Sequence, residues 1–173
     1  MHPYTTRMIS FLGDRSPLEV LAASPARLEE LYKSLQRAAG LDQSYEPGKW
    51  TAAELFAHLA DVEMVLGFRI RQVLAEPNHT IQPMDQDAWA QPYKRQDPAL
   101  AVKSFAALRA WNLSLIRLFT EEDLRRPVMH PERGEESLGI MVKMLAGHDL
   151  NHQAQLQRIR DLVAGGTPAR AAN

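Results

Sequence analysis

His148 and His152 lie four residues apart in the stretch GHDLNHQAQL. A helix turns about 100° per residue, so positions four apart share a face and sit about 6 Å apart along the axis. Both fall on the apolar stripe marked by Leu138, Met141, Leu145, Leu156 and Ile159 in the same segment. A buried polar atom left without a partner costs about 1–3 kcal/mol. The two rings therefore need something inside the protein to bind: backbone, a carboxylate or a metal ion. A third histidine, His58, borders the stripe of Leu55, Leu59, Val62 and Leu66. If the two segments face each other, one imidazole meets two. Three imidazoles with an open fourth position form the catalytic type of site for a divalent ion. Imidazole suits zinc, nickel, iron and copper alike, so the ligands do not choose the metal. Asp149 stands where the zinc-protease helix motif has its general-base glutamate, and that motif is absent.

Other polar residues stand near these three. Asp61 follows His58 by one helical turn and is the candidate for an outer acceptor or a general base. Asp149 and Asn151 flank the ligands but point about 100° away, so they would act only through a neighbouring helix. Glu54 is explained by capping. Gln155 and Arg109 either touch a substrate's polar end or are solvated, and the sequence does not choose. His2, His79 and His130 occupy terminal or loop positions and read as exposed, with the mouth of a pocket as the alternative for His130. Trp50, Trp89 and Trp111 read as packing residues. There is no G-x-S-x-G, no P-loop and no dinucleotide fingerprint.

Four amphipathic segments must position these side chains. The first runs from about Pro25 to Ala39, with Ser24 as cap, Gly40 as stop and SPLEVLAA before it as a short separate turn. The second opens with Thr51 and Glu54 at capping-box spacing and closes at Pro77. The third begins at Asp97 and Pro98 and carries Phe105, Leu108, Leu115 and Phe119. The fourth runs from about Leu138 to Val163 and stops at Gly165 and Gly166. No segment reads as a convincing strand. The expectation is all-α: an up-down four-helix bundle over residues 1–164, followed by a disordered tail, 165–173. The connection between the second and third helices is long for a bundle, and its Trp89 and Tyr93 predict that it packs down as a lid or a brace.

Composition removes whole classes of function. The formal charge of −1 over 173 residues, without a Lys/Arg run, gives no electrostatic reason to bind nucleic acid. The chain has no cysteine, which excludes disulfides, cysteine metal sites and a thiol nucleophile of its own. No stretch approaches the roughly 20 apolar residues that span a bilayer, and the N-terminus does not read as a secretory signal. The expected setting is soluble and cytoplasmic.

KWTAAELFAHLADVE and LAGHDLNHQAQLQRI resemble the two signatures of the DinB-like superfamily of four-helix bundles, which is unrelated to the DNA polymerase of similar name. The resemblance runs from about Leu18 to Ile159 and takes in DQDAWAQPY, FAALRAWNL and HPERGEESL. It implies that His58, His148 and His152 hold one divalent ion, zinc, nickel or iron. Members similar to this chain include thiol S-transferases that use bacillithiol, and mycothiol-dependent isomerases share the scaffold. The implied activity is transfer of a low-molecular-weight thiol to an electrophilic small molecule. With no cysteine in the chain, the thiol must arrive as a cosubstrate, and a divalent ion would lower its pKa. A metal-dependent hydrolase, or a non-catalytic metal- or ligand-binding bundle of stress physiology, are the alternatives. Catalysis and oligomeric state, a homodimer included, stay open at this point. A coordination position facing a cavity would favour an enzyme, whereas a fourth protein ligand such as Asp61 would favour a structural or storage site.

Overall fold

A computed structural model of the chain describes residues 1–76 and 80–165. The helices are α1 (Pro3–Leu12), α2 (Pro17–Arg37), α3 (Ala52–Ala75), α4 (Gln86–Ala90), α5 (Pro98–Ile116), α6 (Glu121–Arg125) and α7 (Leu138–Gly165). The long ones, α2, α3, α5 and α7, form the expected four-helix bundle. Two starts form as the sequence predicts. Thr51 and Glu54 close a reciprocal capping box on α3, and Asp97 accepts from the Ala99 N–H at 2.8 Å at the head of α5.

The first bundle helix differs from expectation. It starts at Pro17, capped by Ser16, and runs without a break through Ser24 and Pro25. Ser24 does not cap; its hydroxyl donates to the Val20 carbonyl at 2.9 Å. A proline inside a helix has no N–H for the carbonyl four residues before it. That carbonyl belongs to Leu21, and the Arg109 guanidinium of α5 donates to it instead, at 3.1 Å. A neighbouring helix thus replaces the missing bond. At the other end, Ala39 rather than Gly40 takes the left-handed position, with φ 51°. The Gly40 and Ala39 N–H groups donate to Leu35 and Gln36 at 2.8 and 3.2 Å, closing a Schellman turn.

Besides the short helices α4 and α6 and a 3-10 turn, two features lie outside the expected set. The N-terminal α1 is one, capped by His2. The other is an antiparallel hairpin of β1 (Pro127–His130) and β2 (Gly134–Ser137) in the stretch read as loop before the last helix. Its strands are too short for alternation to register in the sequence. Gly134, at φ 78°, makes its turn, and Ile81 donates to the Met129 carbonyl at 2.9 Å, tying the incoming connection to the hairpin.

The core divides into two clusters that reveal helix direction. One joins Leu55 and Phe56 of α3 and Val102 and Phe105 of α5 to Leu31 and Leu35 of α2 and Leu156 and Ile159 of α7. The other joins Leu66 and Ile70 of α3 and Leu113 and Ile116 of α5 to Val20 and Leu21 of α2 and Met141 and Leu145 of α7. The N-terminal halves of α3 and α5 therefore share an end with the C-terminal halves of α2 and α7. So α3 and α5 run parallel to each other and antiparallel to α2 and α7, and the bundle runs up-down-down-up rather than in the alternating up-down order expected. A chain that leaves α3 must return the length of the bundle before α5 can start, which is why this connection is long. It holds α4 and a 3-10 turn, Tyr93–Arg95. Tyr93 is buried as expected, while Trp89 is 38% exposed and Trp111, on α5, 67% exposed. The buried face of α5 also differs from the predicted stripe: it carries Val102, Phe105, Arg109, Asn112, Leu113 and Ile116, and Leu108 is only partly buried.

Gly165 is the last residue of α7 rather than the first of a tail, and residues 166–173, like Pro77 and His79, lie outside the described residues. No helix among the described residues is long and apolar enough to cross a membrane.

α1 packs on α7, and at Gly147 the two backbones come into close approach. A Cβ on Gly147 would lie 1.8 Å from the Met8 carbonyl oxygen, which is backbone and cannot step aside. Gly147→Ala is therefore expected to push α1 off α7 at a cost of about 1–3 kcal/mol. A lower melting temperature and faster proteolysis within residues 1–16 should report this, with far-ultraviolet circular dichroism nearly unchanged.

Candidate metal centre

α3 and α7 bring three rings together. His58 Nε2 is 3.1 Å from His148 Nε2, which is 3.1 Å from His152 Nε2. All three side chains are buried, and one ligand atom from each falls within 4.8 Å of the others. A tetrahedral ion with metal–nitrogen bonds of 2.0–2.1 Å separates its ligand nitrogens by about 3.3 Å. The spacing fits such an ion. The hydrogen bonding fits it as well. His148 Nε2 has either one proton or one lone pair and cannot serve two neighbouring Nε2 atoms well, whereas a cation among three lone pairs satisfies all of them.

The outer faces of the rings are held unequally. His152 Nδ1 contacts the Gln155 side-chain Oε1 at 2.8 Å, which makes Nδ1 the protonated nitrogen and frees Nε2 as a ligand. His58 Nδ1 and His148 Nδ1 are buried without a hydrogen-bond partner. His58 is fixed by packing, with the Trp50 ring 4.7 Å away and the Tyr93 ring 6.5 Å away, centroid to centroid. Burial is the first cause that keeps the rings neutral. It lowers His58 to about 3 and His152 to about 4, and it takes His148 well below 6.5, with the neighbouring histidines adding to the effect on His58 and His148. Neutral imidazoles are what a metal requires.

The other candidates divide. Asp61 accepts from the Tyr93 hydroxyl at 2.9 Å and thereby holds the ring that packs beside His58. Burial raises its pKa and the Tyr93 bond opposes that rise. Asp61 is not among the groups placed to share an ion with the three histidines. Asp149 faces away from the rings and pairs with Arg109, through bonds of 2.6 and 3.2 Å. Arg109 is fully buried, donates to Glu63 at 2.6 Å and lies over the Phe105 ring at 4.6 Å. Asn112 donates to the Glu63 carboxylate at 2.9 Å and accepts from Arg71 at 2.7 Å. Gly67 leaves room for this, since a Cβ there would lie 2.4 Å from Asn112 Oδ1. The role of this network went unread in the sequence. The available signal was the 4-3-4 spacing of Phe105, Arg109, Asn112 and Ile116, which places an arginine and an asparagine on one buried face.

His130 is buried rather than exposed; its Nδ1 accepts from the Glu132 and Arg133 N–H groups at 3.2 and 3.4 Å. His2 is half-buried and accepts from the Tyr4 N–H. Both line a cavity of about 300 Å³ that reaches His148 between α1, α3, α7 and the hairpin. A second cavity, of about 220 Å³, reaches His148 and His152 past Trp50, Lys49, Asn151 and Gln155. Tyr4, Gln86 and His148 border both cavities. His148 thus stands between the two chambers, with His152 bordering the smaller one.

The model of the DinB superfamily matches residues 21–156. A protein of Oceanobacillus iheyensis named "putative metal-dependent hydrolase" is 33% identical over 117 residues, 67% of this chain and 68% of its own length. A Bacillus cereus protein of the same name is 28% identical over 137 residues, 79% of each chain. Among solved structures, YfiT from Bacillus subtilis superimposes with a TM-score of 0.80 at 25% identity over 86% of each chain. It is described as a probable metal-dependent hydrolase with an unusual four-helix bundle topology. A mycothiol-dependent maleylpyruvate isomerase shares the fold, with a TM-score of 0.59 at 16% identity over 83% of this chain and 61% of its own.

Two outcomes follow from the site's electrostatics. In metal-free protein the unfolded histidines take up protons near 6.5, while the folded rings resist until about 4 or below. The unfolded state then binds more protons, so stability falls as pH drops below about 6.5, by up to about 1.4 kcal/mol per pH unit for each histidine. Chelated wild type should therefore lose melting temperature from neutral towards pH about 4 more steeply than His148→Leu. Arg109→Met leaves Glu63 and Asp149 facing each other without their cation and Leu21 without its donor. It should cost about 3–5 kcal/mol in urea unfolding.

Proposed function

This chain belongs to the DinB superfamily, and from that premise we propose that it is a metal-dependent transferase joining a low-molecular-weight thiol to an electrophilic small molecule, with His58, His148 and His152 as the ligands of one divalent ion. The observation that carries this reading is the meeting of two chambers at His148, one of three imidazoles whose ring nitrogens converge. Two reactants then have separate approaches to one point, and holding them there converts an encounter in solution into a local event.

A zinc, nickel or iron ion, when bound, supplies Lewis-acid chemistry that lowers the pKa of the nucleophile it holds. The residues divide the remaining work. Gln155 keeps the proton of His152 on Nδ1. Trp50 and Tyr93 wall His58 from solvent, and Asp61 fixes Tyr93. The chamber lined by Val62, Leu66, Met144 and Leu145 suits the apolar frame of an electrophile. The chamber lined by Tyr45, Lys49, Asn151 and Gln155 suits a polar cosubstrate thiol. No cysteine competes for the electrophile. The small molecules of the cytoplasm are the natural source of both reactants.

A second reading, hydrolysis with water in place of the thiol, is favoured by the names of the relatives. One experiment separates the two. Chelated protein is reloaded with Zn²⁺, Ni²⁺ or Fe²⁺ and given a chlorinated or epoxide electrophile with and without a small thiol. Wild type should conjugate the thiol faster than His152→Ala by more than about tenfold, since even losses around a ligand cost 10–100-fold. The rate should rise from acid towards neutral pH, and metal content should fall in the variant. Equal conjugation rates after background subtraction would remove the transferase reading. Turnover of the electrophile without thiol would establish the hydrolytic one.

A further inference from the structure

The larger chamber has a charged end that the transfer reaction does not explain. Arg69 of α3 is only 7% exposed, yet its one hydrogen-bond partner among the described residues is the Gln82 carbonyl. It has no carboxylate partner among the described residues. Every other well-buried arginine near the site is compensated: Arg109 by Asp149 and Glu63, and Arg133 by both oxygens of Glu136, within 3.1–3.3 Å. A guanidinium that meets only a carbonyl and otherwise faces the cavity has lost much of its hydration without gaining a counter-charge. Burial and the neighbouring Arg133 lower its pKa to about 10, so it is still cationic at neutral pH.

His130 stands at the same end. Its Nδ1 is occupied by backbone N–H groups, so Nε2 carries the proton and is a donor. His148 lines the opposite side of the cavity, and Val62, Leu66 and Met144 form an apolar wall between. Glu132 also lines the cavity but is exposed, at the rim. The chamber is therefore graded: a cation and a neutral donor at one end, hydrocarbon in the middle, and His148 at the other.

We propose that this chamber binds a carboxylate-bearing small molecule, with its carboxylate on Arg69 and the His130 Nε2–H and its apolar frame directed towards His148. A carboxylate presents a single charge and a planar pair of oxygens, which matches one uncompensated guanidinium. A phosphate monoester would bring more charge than the site balances. The proposal names the substrate class of the proposed transfer site and so rests on that reading, but it concerns a part of the chamber that needs no metal.

The test uses metal-free protein, in which an added anion has no ion to bind. Phenylacetate, neutral phenylacetamide and phenyl phosphate are titrated by calorimetry at neutral pH into wild type, Arg69→Gln and Arg69→Lys. Wild type should bind phenylacetate about tenfold or more tighter than phenylacetamide. Arg69→Gln should erase that preference, Arg69→Lys should keep part of it, and the His130 ring signals should move on binding. Equal affinity for phenylacetate and phenylacetamide in wild type overturns the proposal, even if Arg69→Gln does not fold. So does an undiminished preference in folded Arg69→Gln, and tighter binding of phenyl phosphate overturns the carboxylate assignment. If His152→Ala matches wild type in conjugation while the carboxylate preference persists, the transfer reading fails and the subsite stands.

Discussion

Three imidazole nitrogens converge inside a hydrophobic bundle, and most of the structure answers to that constraint. His58, His148 and His152 each sit where an apolar side chain would pack more cheaply. Burial keeps them neutral, neutrality keeps their lone pairs available, and the Nε2 spacing of 3.1 Å leaves a gap that fits a small cation. Two of the three outer nitrogens lack partners. The rings are positioned mainly by packing, so the helices that carry them must not slip.

The buried network around Arg109 prevents that slippage. One guanidinium from α5 reaches the Leu21 carbonyl of α2, Glu63 of α3 and Asp149 of α7, tying together the four helices of the bundle. Asp149 is adjacent to His148, so its bond to Arg109 sets the rotation of α7 at the site. Pro25 takes part from a distance, because the helical bond it cannot make leaves the Leu21 carbonyl open to Arg109. Such a network is costly to desolvate and is weak evidence for stability. Its contribution is register: a shift of one helix would separate several bonds at once.

The bundle supplies the histidines, and the remaining elements make them approachable. α1, the hairpin and the connection between α3 and α5 enclose the two chambers. Gly147 allows α1 to lie against α7 with its Tyr4 at the divide. The parallel course of α3 and α5 forces the long return connection, and that connection delivers Tyr93 to His58 and Gln86 to the border between chambers. A topology that costs extra chain thus furnishes the walls of the site.

The sequence by itself determined the four long helices, because an apolar residue every third or fourth position and side-chain caps at Thr51 and Asp97 act locally. It also marked His148 and His152 as unusual, because polar rings on an apolar stripe demand a partner. It could not show that Ser24 and Pro25 lie inside a helix, since the replacement for the lost hydrogen bond comes from Arg109, 84 positions beyond Pro25. Nor could it distinguish a solvated Arg109 from a buried one, or an exposed His130 from one held by a hairpin of two four-residue strands. Local periodicity decides what a segment becomes and which side chains it turns inward. Only tertiary structure decides which inward groups meet, because charge compensation, cavity shape and the convergence of three nitrogens depend on residues that the chain separates and packing brings together.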